Sequence, residues 1–245
     1  MLRTRVAVIC LGILAGAYAT MAETATEDID GRRQALEPYS HTYRPDGPGP
    51  FPTILFVSGC VGFSYPDYAQ SFTDMAKDWR ARGYVVAFVD WLRARGEEHC
   101  FGETASEVAK DVLAAARYFQ TQPFIRSSDV TAIGWSHGGS ALLKILEGTG
   151  PDERSPLRSV IAYTPGCANL EPWDSKVPAL VLLGANDRIE SPESCQHVFA
   201  RLPSGTPLVA RVYPGAGHTF NLPRAPGYNA DATAAAAREI NQFMK

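Results

Sequence analysis

The feature that most constrains the fold is a glycine-rich turn at Gly134–Gly139, with the sequence Gly-Trp-Ser-His-Gly-Gly. The apolar run Val130–Ile133 before it is typical of a short buried strand, and Ser140–Glu147 after it is rich in helix-forming residues. Because glycine lacks a Cβ atom, such a turn brings the strand and the helix together without a clash. The pattern predicts that Ser136 lies on a strained turn, with its hydroxyl held beyond the end of a sheet. Taken alone, it also fits a glycine-rich turn with no chemistry.

Strands and helices alternate along the rest of the chain. Apolar runs predict strands at Tyr39–Arg44, Thr53–Val57, Tyr84–Val89, Val130–Trp135, Ser159–Tyr163, Val177–Leu183 and Leu208–Tyr213. Apolar residues at helical spacing predict helices at Asp67–Arg82, Glu103–Gln120, Pro192–Arg201 and Ala230–Phe243. This alternation indicates an α/β fold, with a mostly parallel twisted sheet flanked by helices on both faces. No insertion is long enough for a cap domain, so we expect a compact domain with an open site.

The first residues have the layout of a secretory signal peptide. Arg3 and Arg5 precede the apolar segment Val6–Ala17, and small residues suitable for cleavage follow at Ala17–Ala19 and Thr20–Ala22. An uncleaved membrane anchor is the rival interpretation, but the apolar run is short for a bilayer. We therefore predict a signal peptide at residues 1–22, a flexible leader at 23–34 and one domain at 35–245. The protein is then exported, periplasmic or secreted, with no membrane span after signal removal.

The charge of the chain bears on its partners, and its cysteines bear on disulfides and metal sites. The chain of 245 residues carries a net charge of −3 and no basic block, which argues against a nucleic acid partner. The sequence does not indicate an oligomeric state. The four cysteines beyond the predicted signal peptide allow two disulfides in three pairings. We favour Cys60–Cys100 and Cys167–Cys195, because each pair joins loops that follow successive strands. No Cys-x-x-Cys motif or Cys/His cluster predicts a metal site.

Two further residues follow strands of the predicted sheet and suit the chemistry of a serine nucleophile. Asp187 comes after the sixth predicted strand, and His218 lies in a glycine-rich loop after the seventh. A serine hydroxyl needs a base to take its proton, and the base needs a third group to orient it. Because the carboxyl ends of parallel strands meet at one edge, we expect Ser136, Asp187 and His218 to converge as a catalytic triad. Singly, Asp187 also fits a helix cap and His218 a surface loop.

The tetrahedral intermediate of such a reaction needs two N–H donors for its oxyanion. One is predicted to be the backbone N–H of His137, the residue after the nucleophile. The second comes from the loop after Thr53–Val57, where Cys60 and Val61 are the candidates. We favour Cys60 because its side chain remains free for a disulfide while its backbone donates. Val61, Trp91 and Trp135 are candidate walls of a substrate pocket, with core packing as the alternative for the tryptophans.

The chain resembles the dienelactone hydrolase family of the α/β-hydrolase superfamily over about residues 35–245. The matching stretches are Ser58–Gly62, Gly134–Gly139, Gly184–Asp187 and Gly215–Phe220. The resemblance implies a capless domain that hydrolyses ester or lactone bonds without a cofactor. The lactonases that give the family its name carry a cysteine at the nucleophile position, whereas this chain has Ser136. Serine-bearing relatives resemble general carboxylesterases.

These observations predict an exported serine hydrolase that cleaves a small-molecule ester, or a lactone, through an acyl-enzyme intermediate. Two alternatives remain at this point. The same triad serves peptidases and thioesterases, and the fold also occurs in proteins that bind a ligand without catalysis.

Overall fold

The computed structural model describes residues 30–37, 41–150 and 152–245. The predicted signal peptide and the first part of the predicted leader lie outside the described residues. Residues 30–36 are helical, and Arg32 forms ion pairs with Glu107 at 2.7 Å and Asp111 at 2.9 Å. Asp111 is 3% exposed and also pairs with Arg95. The end of the predicted flexible leader is therefore a helix held to the domain, because a buried carboxylate requires cationic partners.

Seven strands form one sheet in the order β1-β3-β2-β4-β5-β6-β7. Their bounds are Thr42–Tyr43, Phe51–Val57, Val85–Val89, Ile125–Trp135, Ser159–Tyr163, Ala179–Gly184 and Leu208–Tyr213. The two-residue strand β1 is antiparallel to β3, and all the other pairs are parallel. All residues of β3, β5 and β6 are buried, as expected for strands covered on both faces. The predicted α/β class with a mostly parallel sheet is confirmed.

Helices cover both faces of the sheet. Their bounds are Pro66–Ala81 for α1, Ala105–Gln120 for α2, His137–Glu147 for α3, Pro192–Phe199 for α4 and Ala230–Phe243 for α5. Buried residues of α2, α3 and α4 share one apolar core with half of the strand side chains, and those of α1 and α5 share the other. None of the described helices combines the length and apolar character needed to cross a membrane. Between the described strands and helices there is no additional cap domain.

The strand register brings several strand ends to one edge of the sheet. Val57 at the end of β2 pairs with Gly134, and Trp135 at the end of β4 pairs with Tyr163. On the other side, Gly184 at the end of β6 pairs with Tyr213. The loops that follow β2, β4, β5, β6 and β7 therefore leave the sheet side by side. This is the edge at which α/β sheets bind ligands.

Candidate active site

Ser136 occupies the strained turn between β4 and α3. Its φ is 50° and its ψ is −120°, and its N–H donates to the carbonyl of Tyr163 at 2.9 Å. The flanking glycines are required sterically. A Cβ on Gly134 would lie 2.6 Å from the carbonyl oxygen of Gly138, and a Cβ on Gly138 would lie 2.5 Å from that of Ser58. The backbone thus holds the serine in a conformation that a free chain rarely adopts.

Asp187 and His218 form a partly buried hydrogen-bonded pair. Nδ1 of His218 lies 2.8 Å from Oδ2 of Asp187, and the two side chains are 12% and 2% exposed. Oδ1 of Asp187 accepts hydrogen bonds from the backbone N–H groups of Ile189 at 2.9 Å and Glu190 at 3.0 Å. Because an ionised carboxylate only accepts, the His218 Nδ1 carries the proton and its Nε2 is left as an acceptor.

The loops that carry this pair are joined through their backbones. Ala185 N–H donates to the Tyr213 carbonyl at 3.0 Å, and Asn186 N–H donates to the Ala216 carbonyl at 2.8 Å. Gly184 permits this approach, since a Cβ there would lie 2.6 Å from the Ala216 oxygen. The turn after β6 and the loop after β7 therefore form one unit, which presents His218 to the edge of the sheet.

Thr164 is a structural member of the site that the sequence analysis missed. It follows β5 with a φ of 44°, which is rare for a β-branched residue. Its Oγ1 donates to the backbone carbonyl of His218 at 2.8 Å, and its N–H donates to the Leu182 carbonyl at 2.9 Å. Thr164 thus links the end of β5 to the loop that carries the histidine. The only local signal is its place directly after a predicted strand.

The loop after β2 packs directly against Ser136. A Cβ on Gly59 would lie 3.0 Å from the Cβ of Ser136, so only glycine leaves room for this approach. Among the described residues, none accepts a hydrogen bond from the backbone N–H of Cys60, Val61 or His137. These unpaired donors lie beside the serine, as an oxyanion site requires. The structure therefore keeps both Cys60 and Val61 as candidates for the second donor.

Two disulfides lie near this edge, in the pairs favoured from the sequence, although Cys195 belongs to helix α4 and not to a loop. Cys60 is bonded to Cys100, and Cys167 is bonded to Cys195. Backbone contact reinforces the first pair, because Cys100 N–H donates to the Cys60 carbonyl at 3.0 Å. Within the described ranges, the one group with metal-ligand spacing is Cys60, Cys100 and His137. Its two sulfurs are joined to each other, so no thiolate is available to a metal ion.

A cavity of about 250 Å³ opens beside the serine. Ser136 and His218 both line it, together with Val61 and Trp135, two of the predicted pocket residues. Trp91, the third, is not a pocket residue. Its ring is fully buried, and its Nε1 donates to the Ser58 carbonyl at 3.1 Å, so it supports the loop after β2 from the core.

Two ionisable groups near the serine have shifted pKa values. Burial lowers the pKa of the His137 imidazole, and the nearby Glu103 carboxylate acts in the opposite direction. The His137 ring packs against Trp91 at 5.6 Å and does not line the cavity. Burial raises the pKa of the Glu190 carboxyl, which His218 opposes and Asp187 reinforces. Glu190 lines the cavity, and the sequence analysis missed it.

The arrangement unites the groups that acyl transfer requires. A hydroxyl and an imidazole share one cavity, a carboxylate orients the imidazole, and free N–H groups lie beside the hydroxyl. The residues that line the cavity and the Asp187–His218 pair include no thiolate and no second histidine that would hold a metal or cofactor.

The comparisons with known proteins agree with this architecture. The sequence profile of the dienelactone hydrolase family matches residues 40–245. No curated protein matches the chain. A provisionally assigned dienelactone hydrolase from Klebsiella pneumoniae is similar in structure, with a TM-score of 0.70, 16% identity, and coverage of 84% of this chain and 91% of the other.

Two further solved structures are similar at the level of the fold. A dienelactone hydrolase-like promiscuous phosphotriesterase from metagenomic libraries has a TM-score of 0.65 and 19% identity, over 84% of this chain and 90% of the other. Thermogutta terrifontis esterase 2, phosphonylated by cyclosarin, has a TM-score of 0.62 and 16% identity, over 84% of this chain and 87% of the other. Both are similar to this chain in backbone arrangement.

Proposed function

Because the chain belongs to the dienelactone hydrolase family, we propose that it is an exported serine hydrolase that cleaves carboxylic esters through an acyl-enzyme intermediate. The observation that carries this proposal is the Asp187–His218 hydrogen bond of 2.8 Å, made by a histidine that lines the same cavity as Ser136. The carboxylate keeps the proton on Nδ1 of the imidazole, so Nε2 is free to accept a proton from the serine hydroxyl.

In the first half-reaction, Ser136 Oγ attacks the ester carbonyl carbon while Nε2 of His218 takes the hydroxyl proton. The carbonyl π electrons move to the oxygen, and the resulting oxyanion accepts hydrogen bonds from the backbone N–H groups of His137 and Cys60. The intermediate then collapses, the alcohol leaves with the proton held by His218, and the acyl group remains on Ser136. Asp187 stabilises the imidazolium that exists between these two proton transfers.

In the second half-reaction, water replaces the alcohol. His218 takes a proton from the water, whose oxygen attacks the acyl carbon to form a second oxyanion on the same N–H donors. Collapse releases the carboxylic acid, and His218 returns the proton to Ser136 Oγ. The cycle consumes one water and no cofactor.

The proposal of export rests on two features of the chain. Residues 1–22 have the pattern of a cleaved signal peptide, and disulfides such as Cys60–Cys100 and Cys167–Cys195 persist mainly in oxidising compartments. The hydrolase domain then occupies residues 35–245. Mass spectrometry of the protein recovered from the periplasm or medium tests this, since an intact first residue would contradict cleavage.

The decisive experiment replaces the nucleophile and tests the bond that is cleaved. We expect Ser136→Ala to lower kcat/KM for p-nitrophenyl esters by about 10⁴-fold or more, with an unchanged melting temperature. Ser128→Ala, at an exposed serine near the opposite end of the same strand, is the matched control. A folded Ser136→Ala protein with full esterase activity would exclude this mechanism.

Two further measurements separate the alternatives. A panel of esters, acyl thioesters and peptide amides compares kcat/KM between bond types, and a preference for amides or thioesters would favour the peptidase or thioesterase alternative. Thermogutta terrifontis esterase 2 is phosphonylated by cyclosarin, which makes a fluorophosphonate the natural probe. Failure of that probe to label Ser136 would favour a binding protein without catalysis.

A further inference from the structure

In the part of the chain that the structure describes, the cavity beside Ser136 is lined by one acidic residue and by no basic residue other than the histidine of the site. The described residues that line it include Glu190, whose carboxyl interacts electrostatically with His218 and Asp187, and no lysine or arginine. The nearest cation in sequence, Arg188, is exposed and does not line the cavity. His218 is the remaining group there that can become positive, and its Nδ1 is already bonded to Asp187. A ligand in this cavity therefore faces one carboxylate and no fixed positive charge.

Glu190 is held in place without a partner for its carboxylate. Its backbone N–H donates to Asp187 Oδ1 at 3.0 Å, which fixes the start of the side chain. The carboxylate lies against Gly166, where a Cβ would be only 2.6 Å from Oε2. Among the described residues, no hydrogen bond or ion pair satisfies this carboxylate. A partly buried carboxylate costs free energy unless something pairs with it, so a ligand that supplies the pairing gains affinity.

The same cavity has aromatic residues in its walls. Tyr68, Phe72 and Trp135 all line the cavity, and Phe72 and Trp135 meet edge to face at 4.9 Å. Aromatic rings attract cations through their quadrupole, and this attraction is strongest for alkylammonium groups that shed water easily. A carboxylate combined with aromatic walls is therefore suited to an organic cation, and it is unsuited to a second carboxylate.

We infer that the cavity selects esters that carry an alkylammonium group over anionic esters, and that Glu190 is the residue that determines this preference. The inference rests on the proposed hydrolase function, because it concerns the substrate of the same site. Glu190 acts on the substrate by charge and takes no part in bond making or breaking.

The test uses acetate esters of similar size whose alcohols carry a trimethylammonium, a tert-butyl or a carboxylate group. A second series places the same three groups on the acyl chain. We expect kcat/KM to fall in the order cationic, neutral, anionic in at least one series, with about tenfold between cationic and neutral esters. In Glu190→Gln that ratio should fall to about one. Ratios are used because a general loss of activity cancels from them.

Two variants make the result specific. Glu190→Lys should invert the order, which a structural disturbance does not do. Glu193→Gln removes an exposed carboxylate three residues further on, outside the cavity, and should keep the cationic preference.

The inference would be overturned by equal kcat/KM for cationic and neutral esters in the unmodified protein, or by an unchanged ratio in Glu190→Gln. In either case, turnover that depends on Ser136 would still support the proposed function. No turnover of any ester would overturn both.

Discussion

The two halves of the candidate site are positioned by different kinds of interaction. Ser136 is fixed by close backbone packing, in which Gly59, Gly134 and Gly138 lie where a Cβ would meet neighbouring atoms at 3.0 Å or less. The acid–base half is fixed by side-chain hydrogen bonds, from His218 to Asp187 and from Thr164 to the His218 carbonyl. The Ser136 half depends on the absence of side-chain atoms. The acid–base half depends mainly on hydrogen-bonding groups, although Gly184 also lets its two loops approach each other.

This difference separates two consequences of mutation. Adding an atom near Ser136 forces backbone to move inside a buried sheet edge, so folding and activity should be lost together. Exchanging a hydrogen-bonding group near His218 leaves the packing intact, so activity should fall while stability is preserved. Three substitutions test this separation.

The largest effect is expected for Asp187→Asn. The backbone N–H groups of Ile189 and Glu190 would bind the amide oxygen, which leaves the amide NH₂ facing His218 Nδ1. The histidine then carries its proton on Nε2 and no longer accepts the serine proton. We expect kcat to fall by about 10⁴-fold, measured by ester kinetics. The melting temperature, measured by calorimetry, should stay within a few degrees of the original.

The control for this substitution is Asp129→Asn, a carboxylate paired with Arg126 and Arg158 away from the site. It should leave kcat unchanged. If Asp187→Asn kept a tenth of the original activity, orientation of His218 by the carboxylate would not be needed.

Gly138→Ala should damage both properties. The new Cβ would lie 2.5 Å from the Ser58 carbonyl, so the start of α3 must shift away from the loop after β2. We expect a loss of about 3 kcal/mol in the free energy of unfolding, a melting temperature lower by about 6–12 °C and a large loss of turnover. Thermal melts and kinetics on the same preparation measure both.

Gly148→Ala is the matched control, because its φ is −84° and the nearest atom to a new Cβ lies 3.5 Å away. It should change the melting temperature by no more than a few degrees. An unaltered melting temperature in Gly138→Ala would show that the packing around Ser136 is looser than the distances indicate.

The smallest effect is expected for Thr164→Val, which keeps the branched shape and removes the hydrogen bond of 2.8 Å to the His218 carbonyl. One such bond contributes about 1 kcal/mol, so kcat should fall about fivefold to tenfold with little change in KM. Thr121→Val, at a surface threonine bonded to Tyr118, controls for the loss of a hydroxyl. A change confined to stability would place Thr164 outside the positioning of His218.

The strands and helices could be predicted because each carries a local pattern. Ser159–Tyr163 and Leu208–Tyr213 have the predicted bounds, and so does Ala230–Phe243. Strand β4 begins at Ile125, five residues before the predicted start, because Ile125 pairs with Phe51 although polar residues follow it. Such pairing is a property of two distant segments and leaves no periodic signal in one of them.

The same distinction applies to the site. Ser136, Asp187 and His218 each follow a strand in a glycine-rich context, so local sequence was enough to propose them. Thr164 acts through a bond that spans 54 positions and through a positive φ, neither of which is visible in its neighbours. Trp91 lies two residues after the end of β3, and that position does not reveal whether its ring turns toward the cavity or the core.

The order of the strands has a consequence for synthesis. The histidine follows β7, which is the last of the described strands and an edge of the sheet they form, whereas Ser136 follows β4 at the centre of that sheet. Under the proposed mechanism, a nascent chain that ends before this loop carries a hydroxyl with nothing to deprotonate it. Such a chain stays chemically silent toward esters until the loop after β7 has been made and has docked beside Ser136.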